Sequence, residues 1–521
     1  MSTGVAYRAQ VLAKEENRPS TIAPGTSPAR LDKGQHAVVA KCAAGAIEPR
    51  DVLSGANPPQ ISVNGGGTGH EHETGGTVAR TTAGGENARG RHQLLRGIGF
   101  VGVALIALNS VIGAGIFALP AEVAARAGVL SPWLFLACGL LIITVVLTYS
   151  ELASYFRESG GPVLYTRSAF GPLAGFSTGW VLFLSRMTAF AANSNVMAIY
   201  LGAVWPWFGE GTGRTIVIIA VTAVLTYANY RGVKDGVKTV GFFTVFKIAP
   251  LLLLILLGLP YVSGDTLFPV DLPTIDDLGG TTLLLIYAFV GFEAATITAG
   301  ETARPRHNLP RALVTTIVGT GTLYFLIVLV YISVLPAAGD SGATLVDVGR
   351  ELAGPVGALI ITIAAVFSIG GNLASIMITV PRLTFALARE RMLPQWFGAV
   401  HEKHATPGNS ILFLGAVSLG FALSGSFAWL AAASSLTRLV VYVLCIGALP
   451  IIRRRADAEA RSKAFRLKGG YLIPVIALGL CLWIAAQSTR QSWEVFAWLL
   501  VAGLMLYWLA KLQTRRRDSA L

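Results

Sequence analysis

The sequence predicts an all-α polytopic membrane protein, and three observations carry that prediction. Of 521 residues, 53% are hydrophobic and only 13% charged, which is roughly half the charged share of an ordinary soluble protein. Mean hydropathy is +0.61. Twelve hydrophobic stretches are each long enough, some with interruptions, to cross a bilayer. Together these exclude a conventional soluble enzyme, an intrinsically disordered chain and a disulfide scaffold. Backbone groups in hydrocarbon must be paired within their own segment, so spans of this length are helices.

Residues 1–95 contain no apolar run that could span or build a core, and they are rich in Gly, Ala, Thr, Asn and Pro. Such a segment cannot offset its ordering entropy and is predicted to be a disordered cytoplasmic tail. Met1 to Ser20 lack the apolar core of a cleavable signal peptide. His70 and His72 stand in a glycine-rich run and read as solvated side chains, so no metal site is expected.

The chain changes character at Ile98, and residues 96–521 are predicted to form one twelve-helix domain. The expected spans are 98–126, 132–156, 172–203, 214–229, 237–260 and 279–300. They continue with 312–336, 354–380, 409–424, 426–450, 471–489 and 493–511. Cys42, Cys138, Cys445 and Cys481 are scattered without metal-ligand spacing and read as inert thiols.

Basic residues set the expected orientation. One set of connections carries clusters such as Arg304, Arg306 and Arg311, Arg453 to Lys468, and Arg515 to Arg517. The alternate set carries only Arg126, Arg214, Arg350 and Arg490. This asymmetry places both termini in the cytoplasm and fits an even number of spans in the cell membrane. It also accounts for the net charge of +13 without invoking nucleic acid.

Two spans carry breaks. The first reads Asn109-Ser-Val-Ile112-Gly113-Ala114-Gly115-Ile-Phe-Ala-Leu-Pro120. Two glycines one residue apart weaken the helix, and Pro120 removes a further donor. Packing by small residues is the alternative reading. The sixth span, Tyr287-Ala288-Phe-Val290-Gly291-Phe-Glu293, is its counterpart if helices one to five and six to ten are repeats. Paired interruptions at corresponding positions point to a transporter site at the bilayer midplane. Bared amides at a half-helix N-terminus suit a carboxylate, and freed carbonyls suit an ammonium. Those two halves suit an α-amino acid.

Gly113-Ala-Gly115-Ile-Phe117 resembles the helix 1 signature of the amino acid–polyamine–organocation superfamily of permeases. Phe289 to Glu293 with Ala299 to Pro310, Gly160 to Phe170, and Leu387 to Pro394 are similar to three further motifs of that family, covering residues 98 to about 450. The resemblance implies a leucine-transporter-type five-plus-five inverted repeat, about 98–260 and 279–450, with helices 11 and 12 appended at 471–511 and helices 1 and 6 broken. It further implies that backbone at Ile112, Gly113, Ala114 and Gly115 holds the substrate carboxylate. The carbonyls of Tyr287, Ala288 and Val290, beside Gly291, would hold its amino group, with Tyr287 also acting as a gate. Glu293 would link gating to protonation or hydrogen-bond the broken backbone. Phe190, Asn193, Asn372 and Ser434 match or neighbour positions that shape the side-chain pocket. That pocket contains no acidic residue beyond Glu293, which favours a neutral amino acid over a dibasic one or a polyamine.

Lys247 lies ten residues into its span, roughly 15 Å of helix from the surface. An ionisable group at that depth costs on the order of 3 kcal/mol and marks function by default. By resemblance, its ammonium replaces the sodium of ion-coupled relatives, donating to carbonyls of the broken first helix and to Ser375 or Ser368. Proton coupling and a permanently charged strut both fit such a lysine. Arg186 and Arg438 also lie within spans and are expected to pair with carbonyls or carboxylates in the bundle.

The favoured function is therefore a sodium-independent, proton-coupled amino acid transporter working by alternating access, without covalent chemistry or a cofactor. An exchanger, a carrier of polyamines or cationic amino acids, and a non-transporting amino acid sensor are the alternatives. Against a membrane enzyme, the sequence has no His-Glu-x-x-His and no Walker-type Gly-Lys-Ser/Thr. The oligomeric state is open.

Overall fold

A computed structural model describes residues 98–156, 160–232, 236–267, 275–297, 301–336, 343–458, 461, 464–467 and 469–518. The predicted tail, with His70, His72 and Cys42, lies outside the described residues. The described chain is helical. Its helices are α1 (Phe100–Val111), α2 (Gly115–Ala127), α3 (Ser131–Tyr155), α4 (Gly161–Phe170), α5 (Pro172–Gly202), α6 (Gly211–Arg231) and α7 (Gly236–Gly258). There follow α8 (Ile275–Phe289), α9 (Glu293–Ile297), α10 (Pro305–Val334), α11 (Leu345–Arg389), α12 (Gly408–Ser424), α13 (Phe427–Arg455), α14 (Leu472–Ala486) and α15 (Arg490–Asp518).

Helix starts follow local chemistry. Pro132, Pro162, Pro172 and Pro305 stand in the first turns of α3, α4, α5 and α10, where a missing N–H costs nothing. Thr344 caps α11 through a capping box: its hydroxyl accepts from the Val346 amide at 3.2 Å, and Asp347 Oδ2 accepts from the Thr344 amide at 2.8 Å. α11 starts earlier than the span predicted at 354, because residues 345–352 form their own turns. Ala353 and Gly354 leave helical geometry between the two parts, with Gly354 at φ 61°, a conformation that favours glycine.

Six helical stretches among the described residues are long and apolar enough to cross a membrane: Gly115–Tyr155, Gly211–Arg231, Pro305–Val334, Leu345–Arg389, Phe427–Arg455 and Arg490–Arg516. Five further apolar helices are shorter. α5 is not among the six although it has 31 residues. It carries Ser185, Arg186, Thr188, Asn193, Ser194 and Asn195, and is buried along most of its length. A helix surrounded by protein has no lipid-facing surface to keep apolar. α5 packs on α13, α11, α12 and α6, while α3 packs on α10. These contacts build one continuous apolar core around the breaks of the first and sixth predicted spans.

Candidate functional site

The first expected span is two helices. α1 ends at Val111, Ile112 turns extended at φ −76°, ψ 93°, and α2 resumes at Gly115. The sixth expected span is likewise α8 and α9, separated at 290–292, with Gly291 at φ 120°. Glycine is needed there for its backbone, and for space as well. A Cβ on Gly291 would stand 2.3 Å from the Ser110 carbonyl oxygen. A Cβ on Gly115 would meet Ala288 Cα at 2.9 Å, and one on Gly113 would meet Asn372 Nδ2 at 2.9 Å. The two breaks therefore abut backbone to backbone.

The unwound peptide groups are shared among partners from other helices. Lys247, fully buried, donates to the Asn109 carbonyl (3.3 Å), Asn109 Oδ1 (2.7 Å) and the Ile112 carbonyl (2.9 Å). The Ser368 hydroxyl donates to the Gly113 carbonyl at 3.3 Å. Among the described residues neither Ser368 nor Ser375 is a partner of Lys247; the Ser375 carbonyl accepts from Thr379. Tyr324 of α10 places its hydroxyl within reach of both breaks, 3.3 Å from the Ala288 carbonyl and 3.5 Å from that of Val111. Among the described residues, the amides of Gly113, Ala114 and Gly115 donate to no backbone acceptor.

Glu293 opens α9 and closes the second break. Its Oε2 accepts from the Gly291 amide (3.1 Å) and the Tyr442 hydroxyl (3.4 Å). Its Oε1 accepts from Arg186 at 3.1 Å and also from Arg438. The two arginines thus pair with a carboxylate as expected, and with the same one.

A small cavity of about 20 Å³ lies between the breaks, lined by Ser110, Val111, Gly113, Ala114 and Gly115 of the first break and by Tyr287 and Val290 of the second. Arg186, Ala189 and Asn193 of α5, Asn372 of α11 and Arg438 of α13 complete it. A volume of that order holds about one water. A polar chain crosses its wall: Tyr287 donates to Asn193 Oδ1, and Asn193 Nδ2 donates to Asn372 Oδ1 at 2.9 Å.

Several anticipated residues stand back from this cavity. Ser434 is occupied by Ser185, each hydroxyl donating to the other's carbonyl at 2.9 and 3.0 Å, which ties α13 to α5. Phe190 is fully buried and is not among the residues that line the cavity. Ile112, Ala288 and Gly291 contribute backbone that is already paired or pressed against the other break. Beside the neutral residues expected in the pocket, two guanidinium groups stand at its wall. Asn109 and Tyr324 were missed. A neutral Asn or Tyr in an apolar span gives no signal to set it apart from an ordinary interhelical hydrogen bond.

The family model described as amino acid permease matches residues 98–505. The chain belongs to that family. It is a multi-pass membrane transporter of amino acids or related organic solutes, and not an enzyme. The permease is similar to the methylthioribose transporter of Bacillus subtilis (strain 168), with 26% identity over 443 residues that span 80% of this chain and 93% of the relative. The branched-chain amino acid permease BcaP of the same organism is 28% identical over 81% of this chain and 94% of its own. The serine/threonine exchanger SteT is 27% identical over 80% and 97%. The amino acid–polyamine–organocation resemblance seen in the motifs thus extends across the helical chain.

Proposed function

We propose that this permease moves an amino acid across the cell membrane by alternating access, with twelve spans arranged as two inverted repeats of five and two helices appended. The observation that carries the reading is the abutment of the two breaks around one cavity, which has to widen from the volume of about one water to admit an amino acid. The amides of Gly113, Ala114 and Gly115 would take the substrate carboxylate, and the carbonyls of Tyr287 and Val290 its ammonium, that of Ala288 being held by Tyr324. Tyr287 would act as the outer gate and Glu293 as the link between gate and break. The uneven distribution of arginine and lysine supports cytoplasmic termini.

Lys247 supports a sodium-independent cycle, since its ammonium occupies the unwound carbonyls of α1 that a cation would otherwise need. We take the driving ion to be the proton. Exchange is the second reading, favoured by the likeness to a protein named as an exchanger. Two arginines at the cavity wall strengthen the case against dibasic amino acids and polyamines. They do not strengthen the case for a neutral side chain over an acidic one.

Uptake into proteoliposomes tests the reading. An imposed inward proton gradient should drive accumulation with no internal substrate, without sodium, and Lys247→Ala should abolish that accumulation. Strict dependence on internal amino acid would replace symport by exchange. Binding without any flux would make the protein a sensor.

A further inference from the structure

We propose that Arg186 and Arg438 form an anion subsite at the cavity, and that the transported amino acid carries an acidic side chain. The inference rests on the amino acid transport reading and names the substrate class of the same site. It begins with hydrogen-bond capacity. A carboxylate offers about four acceptor positions, and those of Glu293 are taken by Arg186, Arg438, the Gly291 amide and the Tyr442 hydroxyl. Arg438 is 1% exposed, and its Nε and Nη2 have no partner among the described residues. A buried guanidinium left with unpaired donors is costly unless something completes it.

Charge leads to the same place. Arg186, Arg438 and Glu293 meet with two positive charges against one negative, and both arginines line the cavity. No acidic side chain is among the residues that line it. A zwitterion held by the two breaks has no net charge and leaves the surplus standing. An amino acid with a second carboxylate supplies the missing negative charge and the acceptors that Arg438 lacks. Guanidinium is suited to it, since its planar fork matches a carboxylate in two parallel hydrogen bonds. The positions agree: the breaks would hold the α-carboxylate and α-amino groups, and the arginines stand on the remaining wall beside Asn193 and Ala189.

Isosteric pairs test this directly on the purified full chain. Thermal stabilisation by glutamate against glutamine, and by aspartate against asparagine, reports relative affinity at matched chloride. We expect at least one acid to bind tenfold or more tightly than its amide, and to be the better competitor in proteoliposome uptake. Arg186→Gln should bring that ratio to one or below, while Arg186→Lys should keep the acid ahead. Amides binding as well as acids in the unaltered protein would overturn the proposal, and so would a ratio unmoved by Arg186→Gln. Should no amino acid of any class bind or be taken up, the amino acid reading itself would fall instead.

Discussion

Gly291 faces the carbonyl oxygen of Ser110 at a distance that admits no side chain: a Cβ there would sit 2.3 Å from that oxygen. The contact joins the two breaks through backbone alone. It explains why glycine recurs at the unwound positions of both spans, where a Cβ on Gly113 or Gly115 would meet a neighbour at 2.9 Å.

Gly291→Ala should therefore abolish uptake and lower thermal stability. The backbone strain alone costs about 1–3 kcal/mol, and the steric overlap adds to it. Gly319→Ala is the control. Gly319 lies in α10 with nothing within 4 Å of a built Cβ, and alanine there should raise stability by up to about 1 kcal/mol. A detergent melting series reads both.

Glu293→Gln keeps an acceptor for the Gly291 amide but leaves the buried Arg438 and the partly buried Arg186 against a neutral group. Breaking a buried pair from one side typically costs about 3–5 kcal/mol, so the melting temperature should drop sharply. The double variant Glu293→Gln with Arg438→Met should recover part of the loss, a non-additivity that a double-mutant cycle measures.

Asn109 is the side-chain partner of Lys247. Asn109→Ala should cost about 1.5–3 kcal/mol, the range for a hydrogen bond to a charged group. Asn109→Asp should instead hold the ammonium in an ion pair, raising the melting temperature while slowing gradient-driven uptake. Uptake that is as fast in Asn109→Asp as in the unaltered protein would argue that Lys247 is a permanent strut.

Tyr287→Phe removes the donor to Asn193 Oδ1 and keeps the ring, which packs edge-on against Phe427 at 5.9 Å between centroids. The orphaned amide oxygen should cost about 1–3 kcal/mol. We expect KM to rise several-fold, with the change in kcat smaller. An equal fall in kcat would assign the hydroxyl to the gating step.

How much of this was legible in the sequence differs residue by residue. The breaks were, because paired glycines at matching places in two apolar runs weaken the helix where lipid would otherwise enforce it. The burial of Lys247 was too, since an ionisable residue deep in an apolar run has to find its partners inside the bundle. Ser375 was misplaced for a different reason. It lies seven residues from Ser368, nearly the same helix face, so periodicity does not separate them. The rise of about 10 Å between them does, and only Ser368 is level with the first break. The meeting of Arg186 with Arg438 was out of reach. They come from α5 and α13, and only tertiary packing brings both to one oxygen of Glu293.

Because Ser368 and Tyr324 from later helices complete the first break, the first half of the chain is not self-sufficient. Synthesised alone, a fragment ending before α8 would present the bared peptides around Gly113 to hydrocarbon, where unpaired polar groups are prohibitively costly. The complementary fragment would keep Glu293 on the Gly291 amide but lose the Ser110 backbone packed against it. Assembly is thus bound to a late step in which two separately inserted pieces dock, and quality control in the membrane has a natural signal to read: an undocked break.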